Sequence, residues 1–273
     1  MNSDDPGTAA KRVTEYTTVV ALGSSFAAGP GITPIANRAA KRSADNAAQL
    51  VSRTLGARLI DASVSGATTA TILHDSQRAG GRRFPPQIES VDENADLILV
   101  TAAGNDLQYI GSLWSRSLAN ARTRNVLTRW IGERSIRRAP LVPPTADQLR
   151  RATDGLSEIV VECRRRAPGA RVVLVDYLPV IDDDSAPGPI LPLSADEIDH
   201  FRNVAQELAA VFAAAAKRTG ADLVPASAYG TGHGAGSTDA YTLGWQVRAN
   251  DGSHFHPTRA GMRAAASAIL GIL

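Results

Sequence analysis

Residues 17–29 read TTVVALGSSFAAG, and this stretch decides the fold class. Thr17 to Leu22 are β-branched or apolar without alternation, a pattern that predicts a buried strand. Gly23 ends the strand, and Ser24 and Ser25 follow it directly. A strand that is apolar on both faces needs cover on both, which is typical of a parallel sheet flanked by helices.

Four further segments have strand character, and helical patterns separate them. Strands are predicted at 58–63, 96–101, 171–176 and 222–224. Helices are predicted at 44–55, at 146–166, from Ser194 to Gly220, and from near Pro257 to the C-terminus. Thr145 with Gln148 and Ser194 with Glu197 have the spacing of capping boxes. Strands that alternate with helices predict a parallel sheet covered by helices on both faces.

The composition excludes several classes of protein. Of 273 residues, 44% are hydrophobic and 21% are charged, so wholesale disorder, collagen-like sequence and coiled coil are excluded. The 29 basic and 27 acidic residues give a net charge of only +2, which does not indicate nucleic acid as a partner. Cys163 is the single cysteine, so neither an intramolecular disulfide nor a cysteine-rich zinc site can form.

The N-terminal residues contain no apolar core of a secretory signal, since they open with acidic and polar side chains. The first apolar run, 19–22, is too short to span a bilayer. We therefore expect a cytoplasmic protein without a stable membrane span. A secreted form stays open if a leader once preceded Met1.

Polar and glycine-rich blocks follow the first three predicted strands, at the edge where open α/β sheets bind ligands. They read GSSFAAG at 23–29, VSGATT at 64–69 and AAGND at 102–106. Backbone N–H groups around Ser25 could stabilise a developing anion, Gly66 would let the backbone approach a ligand closely, and the side-chain amide of Asn105 could donate to an oxyanion. Taken singly, each block is also explained as a turn. The first block matches neither the GxSxG elbow nor a P-loop.

A fourth block, DGSHFHPTRAG at 251–261, places two histidines after an acid and before the last helix. Two histidines with one carboxylate could bind a metal ion. Only three other histidines exist in the chain, at positions 74, 200 and 233. We therefore favour a histidine that transfers protons over a metal ligand.

These four blocks, in this order, resemble those of the SGNH hydrolases, also called GDSL esterases and lipases, of the actinobacterial type. The resemblance runs from about residue 19 to residue 261. The matching residues each belong to a short family motif: Gly23-Ser24-Ser25 for Gly-Asp-Ser, Gly66 for the oxyanion glycine, Asn105-Asp106 in Gly-x-Asn-Asp, and His256-Pro257 with Gly261 in the block of the base.

The resemblance implies a three-layer α/β/α sandwich, flavodoxin-like, with a five-stranded parallel sheet and a single domain over 1–273. It also implies a serine esterase or lipase that needs no metal or organic cofactor. Ser25 would be the nucleophile and His256 its base, with an oxyanion hole of the Ser25 and Gly66 N–H groups and the Asn105 amide. The expected substrate is a small-molecule or lipid ester. The alternatives are a carbohydrate O-deacetylase of the same fold and a non-catalytic small-ligand-binding protein.

The chain departs from the family pattern at three places. Ser24 replaces the aspartate of Gly-Asp-Ser, and Ala103 replaces the first glycine of Gly-x-Asn-Asp. In the pattern Asp-x-x-His-Pro, the acid should stand three residues before His256, where Ser253 stands instead. We expect His256 to be the base, oriented either by Asp251 or by a main-chain carbonyl such as that of Ser253. The other possibility is Asp251 with His254 as the working pair.

One segment, 111–139, has no counterpart in these motifs. It contains seven arginines and a single acid, Glu133, with apolar residues at roughly helical spacing. The pattern predicts a helical insertion whose apolar stripe packs on the body while its arginines face solvent. The alternative is a lid or dock near the site that attracts an anionic or lipidic substrate. The oligomeric state is left open by the sequence.

Overall fold

The fold is organised around a parallel sheet. The computed structural model describes residues 16–245 and 250–273. These residues form nine strands: β1 (Thr18–Gly23), β2 (Ile35–Asn37), β3 (Arg42–Ser43), β4 (Arg58–Asp61), β5 (Gln77–Ala79), β6 (Arg82–Phe84), β7 (Leu97–Thr101), β8 (Arg171–Val175) and β9 (Asp222–Val224). Five of them make the sheet in the order β4-β1-β7-β8-β9, with every neighbouring pair parallel. Two small antiparallel hairpins, β2–β3 and β5–β6, were not predicted.

Helices cover both faces of the sheet. The described residues form α1 (Ser25–Ala28), α2 (Ala47–Leu55), α3 (Thr69–Leu73), α4 (Tyr109–Thr123), α5 (Arg129–Arg138), α6 (Ala146–Arg166), α7 (Ala195–Thr219), α8 (Ala226–Tyr229) and α9 (Arg259–Leu270). Helix α2 packs against α9, and α6 packs against both α3 and α7. Helices α2 and α9 therefore lie on one face of the sheet, and α3, α6 and α7 lie on the other. The faces differ because the right-handed crossovers from β1 to β4 and from β4 to β7 move in opposite directions along the sheet. The predicted α/β/α fold class is confirmed.

Local sequence signals account for the helix boundaries. Both predicted capping boxes are present, Thr145 with Gln148 at α6 and Ser194 with Glu197 at α7. Helix α2 begins three residues after the predicted start at position 44, because the side chain of Asn46 caps it and accepts from the N–H of Gln49 at 3.0 Å. The two central strands, β1 and β7, are buried along their whole length.

The strand order decides where the loops meet. In chain order the five strands lie 2-1-3-4-5, the flavodoxin-like arrangement, and the direction reverses between β1 and β7. The loops that follow β1, β4 and β7 therefore converge at one edge of the sheet.

The arginine-rich segment forms the helical hairpin α4–α5. The helices touch closely at Gly132, where a Cβ would lie 2.5 Å from the carbonyl oxygen of Ala119. Arg116 is buried, contrary to the expectation that the arginines face solvent, because it pairs with Glu197 on α7 at 3.4 Å. No helix in the described part of the chain is long and apolar enough to cross a bilayer.

Candidate active site

Ser25 is the first residue of α1 and follows β1 after a single intervening residue. The turn needs glycine at position 23, since a Cβ there would lie 2.4 Å from the carbonyl oxygen of Thr101. Gln87 holds this glycine at both ends: it accepts from the Gly23 N–H at 2.7 Å and donates to the Gly23 carbonyl at 3.0 Å. The sequence offered no signal for Gln87, which follows Pro85-Pro86 and lies 64 positions after Gly23 in the chain.

His256 is in hydrogen-bond contact with Ser25. Its Nε2 lies 2.8 Å from the Ser25 Oγ, and its Nδ1 lies 2.6 Å from the carbonyl oxygen of His254. Because a carbonyl can only accept, Nδ1 carries the ring proton, and Nε2 is left free to accept from the serine hydroxyl.

The electrostatic surroundings keep the imidazole neutral. Burial lowers the pKa of His256 to about 4, and the nearby charges of Lys41 and His254 act in the same direction. The hydrogen bond to the His254 carbonyl opposes them only in part. At neutral pH the ring is therefore a free base, which is the protonation state that can take a proton from Ser25.

Asp251 is not brought to His256. Its Oδ1 accepts from the main-chain N–H of Arg259 at 3.1 Å, at the start of α9. The expectation that Asp251 orients His256 is therefore corrected: the His256 ring is hydrogen-bonded to a main-chain carbonyl, and it is that of His254. The carbonyl of Ser253, the other expected partner, accepts the main-chain N–H of His256 at 3.1 Å instead.

A turn at Phe255 explains why the carbonyl of His254, and not that of Ser253, meets the His256 ring. Phe255 has φ +58°, in the left-handed region, and its side chain is buried. The turn folds the His254 carbonyl back onto the ring two residues ahead. The His254 ring itself lies against Trp245, with centroids 5.1 Å apart, and its Nδ1 has no hydrogen-bond partner among the described residues. The His254 carbonyl thus holds the His256 ring, and the His254 side chain makes no hydrogen bond to Ser25 of the kind that His256 makes.

The three expected oxyanion-hole residues line one cleft together with His256. Asn105 Nδ2 donates to the carbonyl of Ala67 at 2.8 Å, which ties the loop after β7 to the loop after β4. An amide nitrogen carries two hydrogens, so one remains for a ligand. Gly66 adopts φ +88°, and neither its N–H nor that of Ser25 meets a protein acceptor within the described ranges.

Two neighbouring contacts brace these loops. Asp106 accepts from the hydroxyl of Thr69 at 2.6 Å and from its N–H at 3.2 Å, and burial raises the pKa of Asp106. Ser24 and Gly104 both meet the hydroxyl of Tyr177, a residue that no sequence motif indicated. The only sequence signal for Tyr177 is its position directly after a predicted strand.

The cleft over Ser25 has a volume of about 460 Å³. Its walls are partly apolar, with Ile110 and Trp114 from α4, and a single cation, Lys41, stands among the lining residues. A second cavity of about 490 Å³ continues along α4 and shares Asn105 and Gly111 with the first. In the described parts of the chain, no group of three histidine, cysteine or acidic side chains is placed to hold a metal ion.

The family model of the GDSL-like lipase/acylhydrolases matches residues 21–264, which is most of the chain. The chain belongs to the GDSL-like lipase/acylhydrolase family. The suspected family and the expected class, a carboxylic ester hydrolase, are thereby confirmed.

Individual proteins that resemble this chain agree with the family assignment. The chain is 31% identical over 221 residues to "Lipase 2" of Streptomyces coelicolor, which covers 79% of this chain and 72% of the relative. A phospholipase A1 from Streptomyces albidoflavus NA297 superposes with a TM-score of 0.70 at 20% identity, over 94% of this chain and 99% of that one. An extracellular lipase from Streptomyces rimosus gives 0.71 at 20% identity, over 94% and 100%. These two solved structures share the fold.

Proposed function

We propose that this acylhydrolase cleaves acyl esters of lipids, with Ser25 as nucleophile and His256 as general base. The observation that carries the proposal is the 2.8 Å contact between Ser25 Oγ and a His256 ring whose other nitrogen is held by a carbonyl. Such a pair lets the serine hydroxyl lose its proton as it attacks.

The first half-reaction forms an acyl-enzyme. Ser25 Oγ bonds to the ester carbonyl carbon while its proton moves to His256 Nε2. The carbonyl oxygen becomes an oxyanion, which the N–H groups of Ser25 and Gly66 and the amide of Asn105 stabilise. The resulting imidazolium is held by the His254 carbonyl, and it delivers its proton to the alcohol oxygen as the C–O bond breaks.

The second half-reaction releases the acid. His256, neutral again, takes a proton from a water molecule that attacks the acyl carbon of Ser25. The second oxyanion collapses as the proton on Nε2 returns to Ser25 Oγ. The products are one alcohol and one carboxylic acid, and the enzyme is restored.

The cleft supports a lipid as the substrate. Ile110 and Trp114 give it an apolar wall suited to an acyl chain, and Trp114 is 43% exposed there. The relatives named above are called lipases and a phospholipase A1.

The test is hydrolysis of p-nitrophenyl esters from acetate to dodecanoate, with an acetylated sugar measured beside them. We expect turnover that rises beyond the acetate, is abolished in Ser25→Ala and is retained in Ser267→Ala, an exposed serine of α9. Preference for the acetylated sugar would instead indicate a carbohydrate O-deacetylase. Turnover that survives Ser25→Ala would refute the nucleophile assignment, and so would a fluorophosphonate label that fails to reach Ser25.

Asn105 provides a graded second test. Removal of one oxyanion donor costs roughly 100- to 1,000-fold in kcat, so Asn105→Ala should lose about that much. Asn203→Ala, at an exposed position on α7, serves as the matched control. A loss below about threefold would contradict the assignment of Asn105 to the oxyanion hole.

A further inference from the structure

The α4–α5 hairpin ends in an exposed apolar cluster. Val126 and Leu127, in the loop between the helices, are 90% and 84% exposed, and Trp130 in the first turn of α5 is 64% exposed. Their helical spacing predicted that these side chains pack on the body. The loop at 124–128 interrupts the helical period, so they face away from the body. We call residues 122–130 the hairpin tip. Single exposed apolar residues are ordinary, but three at one loop mark an interaction surface.

The hairpin tip is also basic. Arg122, Arg124 and Arg129 are exposed beside the apolar cluster. Glu133, the single acid between positions 111 and 139, pairs with Arg129 at 2.8 Å. Arg122 and Arg124 therefore have no acidic partner within residues 111–139. Tryptophan with aliphatic side chains enters the headgroup boundary of a bilayer, and arginines beside them attract anionic lipid.

We propose that the hairpin tip docks on the surface of an anionic lipid bilayer. The proposal goes beyond ester hydrolysis, because none of the tip residues lines the cleft around Ser25. Charge complementarity selects this partner: basic side chains surround the apolar cluster, and the anionic leaflet of a membrane supplies the opposite sign.

A second copy of the chain fits the hairpin tip less well. Two tips placed together would bring the arginines of both copies against each other, and like charges at an interface oppose association. Three apolar side chains also fall far short of the roughly 1,200 Å² that a stable interface buries.

Helix α4 connects the hairpin tip to the cleft. Ile110, Gly111 and Trp114 in its first half line the cleft, and its last residue, Thr123, lies in the tip. Its 15 residues span about 20 Å at ~1.5 Å per residue. The cavity that shares Gly111 with the cleft runs along this helix past Ser115 and Ala119. Docking at the tip would therefore hold a bilayer about one helix length, roughly 20 Å, from the cleft wall that α4 forms.

The test is binding without catalysis. Sucrose-loaded vesicles of phosphatidylcholine, with or without phosphatidylglycerol, are sedimented with Ser25→Ala protein at rising NaCl. We expect binding to the anionic vesicles that weakens as salt screens the charges. The double variant Val126→Asp/Leu127→Asp should lose it, and Arg122→Gln/Arg124→Gln should weaken it by roughly tenfold or more.

A matched control shows whether the loss of binding depends on the position of the substitution or only on the added negative charge. Val161→Asp changes another exposed valine, on α6, and should bind like the parent. Circular dichroism and the Tm establish that each variant is folded. Trp130 should also shift its emission to the blue with anionic vesicles, and this shift should disappear in Trp130→Phe.

Three outcomes would overturn the proposal. They are binding to neither vesicle, binding that the tip variants leave unchanged, and a concentration-dependent dimer that the tip variants abolish while vesicles do not bind. Since hydrolysis of p-nitrophenyl esters is measured separately, failure of vesicle binding leaves the Ser25 assignment standing, and the reverse also holds.

Discussion

The hydroxyl of Tyr177 lies 2.8 Å from the Oγ of Ser24, and the N–H of Gly104 donates to the same hydroxyl at 3.3 Å. Ser24 directly precedes the proposed nucleophile Ser25, and Gly104 directly precedes Asn105. One buried phenol thus joins the loops after β1 and β7. Burial raises the pKa of Tyr177, which keeps the hydroxyl protonated and able to donate to Ser24. Gly104 has no room for a side chain, since a Cβ would lie 2.7 Å from the Tyr177 ring.

Tyr177→Phe should lower kcat more than it changes KM. The substitution leaves two buried polar groups without a partner, at a cost of about 1–3 kcal/mol in the free energy of unfolding. It also loosens the spacing between nucleophile and oxyanion donor, for which we expect roughly a tenfold loss in kcat. Steady-state hydrolysis of a p-nitrophenyl ester together with a Tm gives both quantities.

Tyr109→Phe is the matched control. Tyr109 is equally buried, but its hydroxyl has no hydrogen-bond partner among the described residues. Loss of that hydroxyl should leave kcat unchanged and should not lower the Tm. Equal effects of the two substitutions on kcat would show that Tyr177 fills space and does not position the loops.

Asp251→Asn should retain activity to within about tenfold. The carbonyl of His254, and not Asp251, accepts from the His256 ring, and asparagine can still accept from the N–H of Arg259. If Asp251 were the third member of a triad, the same substitution would cost on the order of 10⁴ in kcat. The comparison of kcat for the two proteins therefore separates these two possibilities by about three orders of magnitude.

The acid limb of the pH–rate profile should lie near the His256 pKa of about 4. Hydrolysis needs the neutral ring, so kcat/KM should fall as the pH drops through that value and stay level above it. Because Lys41 lowers this pKa, Lys41→Gln should move the acid limb to higher pH. Lys217→Gln, at an exposed lysine on α7, should leave the limb in place. A limb near 6.5 in the parent enzyme would contradict the buried, carbonyl-held base.

Asp176 should make the stability depend on pH. Burial raises its pKa to about 6, although it accepts from the N–H and the hydroxyl of Ser227 at 2.7 and 2.6 Å. A carboxyl whose pKa is raised on folding stabilises the fold while protonated and loses that contribution as the pH rises. Relative to Asp176→Asn, the parent should lose roughly 2–3 kcal/mol of unfolding free energy between about pH 4 and pH 7. Denaturant titrations of both proteins across that range measure the difference, and parallel pH curves would disprove it.

The strands and helices follow from local patterns. β1 at 18–23 and α6 at 146–166 agree with the prediction to within a residue, because β-branched runs, capping boxes and Pro-Gly breaks act over a few positions. The hairpins β2–β3 and β5–β6 escaped prediction because strands of two or three residues carry too little periodicity.

The hairpin tip shows a feature that local sequence patterns do not predict. Helical spacing in 111–139 correctly indicated helices, and it also suggested that Trp130 packs on the body. The exposure of Trp130 depends on where α4 ends and on the angle at which α5 returns, which contacts such as that of Gly132 with Ala119 decide. A period of 3.6 residues says which side chains share a face and not what that face meets.

The sequence by itself indicated Ser25 and favoured His256 over His254 as its partner, because the residues around Ser25 and His256 resemble short family motifs. Their contact spans 231 positions along the chain. Only the tertiary structure decided that the His254 carbonyl holds the His256 ring, that Asp251 accepts from the N–H of Arg259 at the start of α9, and that Tyr177 and Gln87 brace the loops. A main-chain carbonyl has no residue type of its own, and a contact between distant segments depends on how the sheet brings their loops together. Neither leaves a pattern in the order of the amino acids.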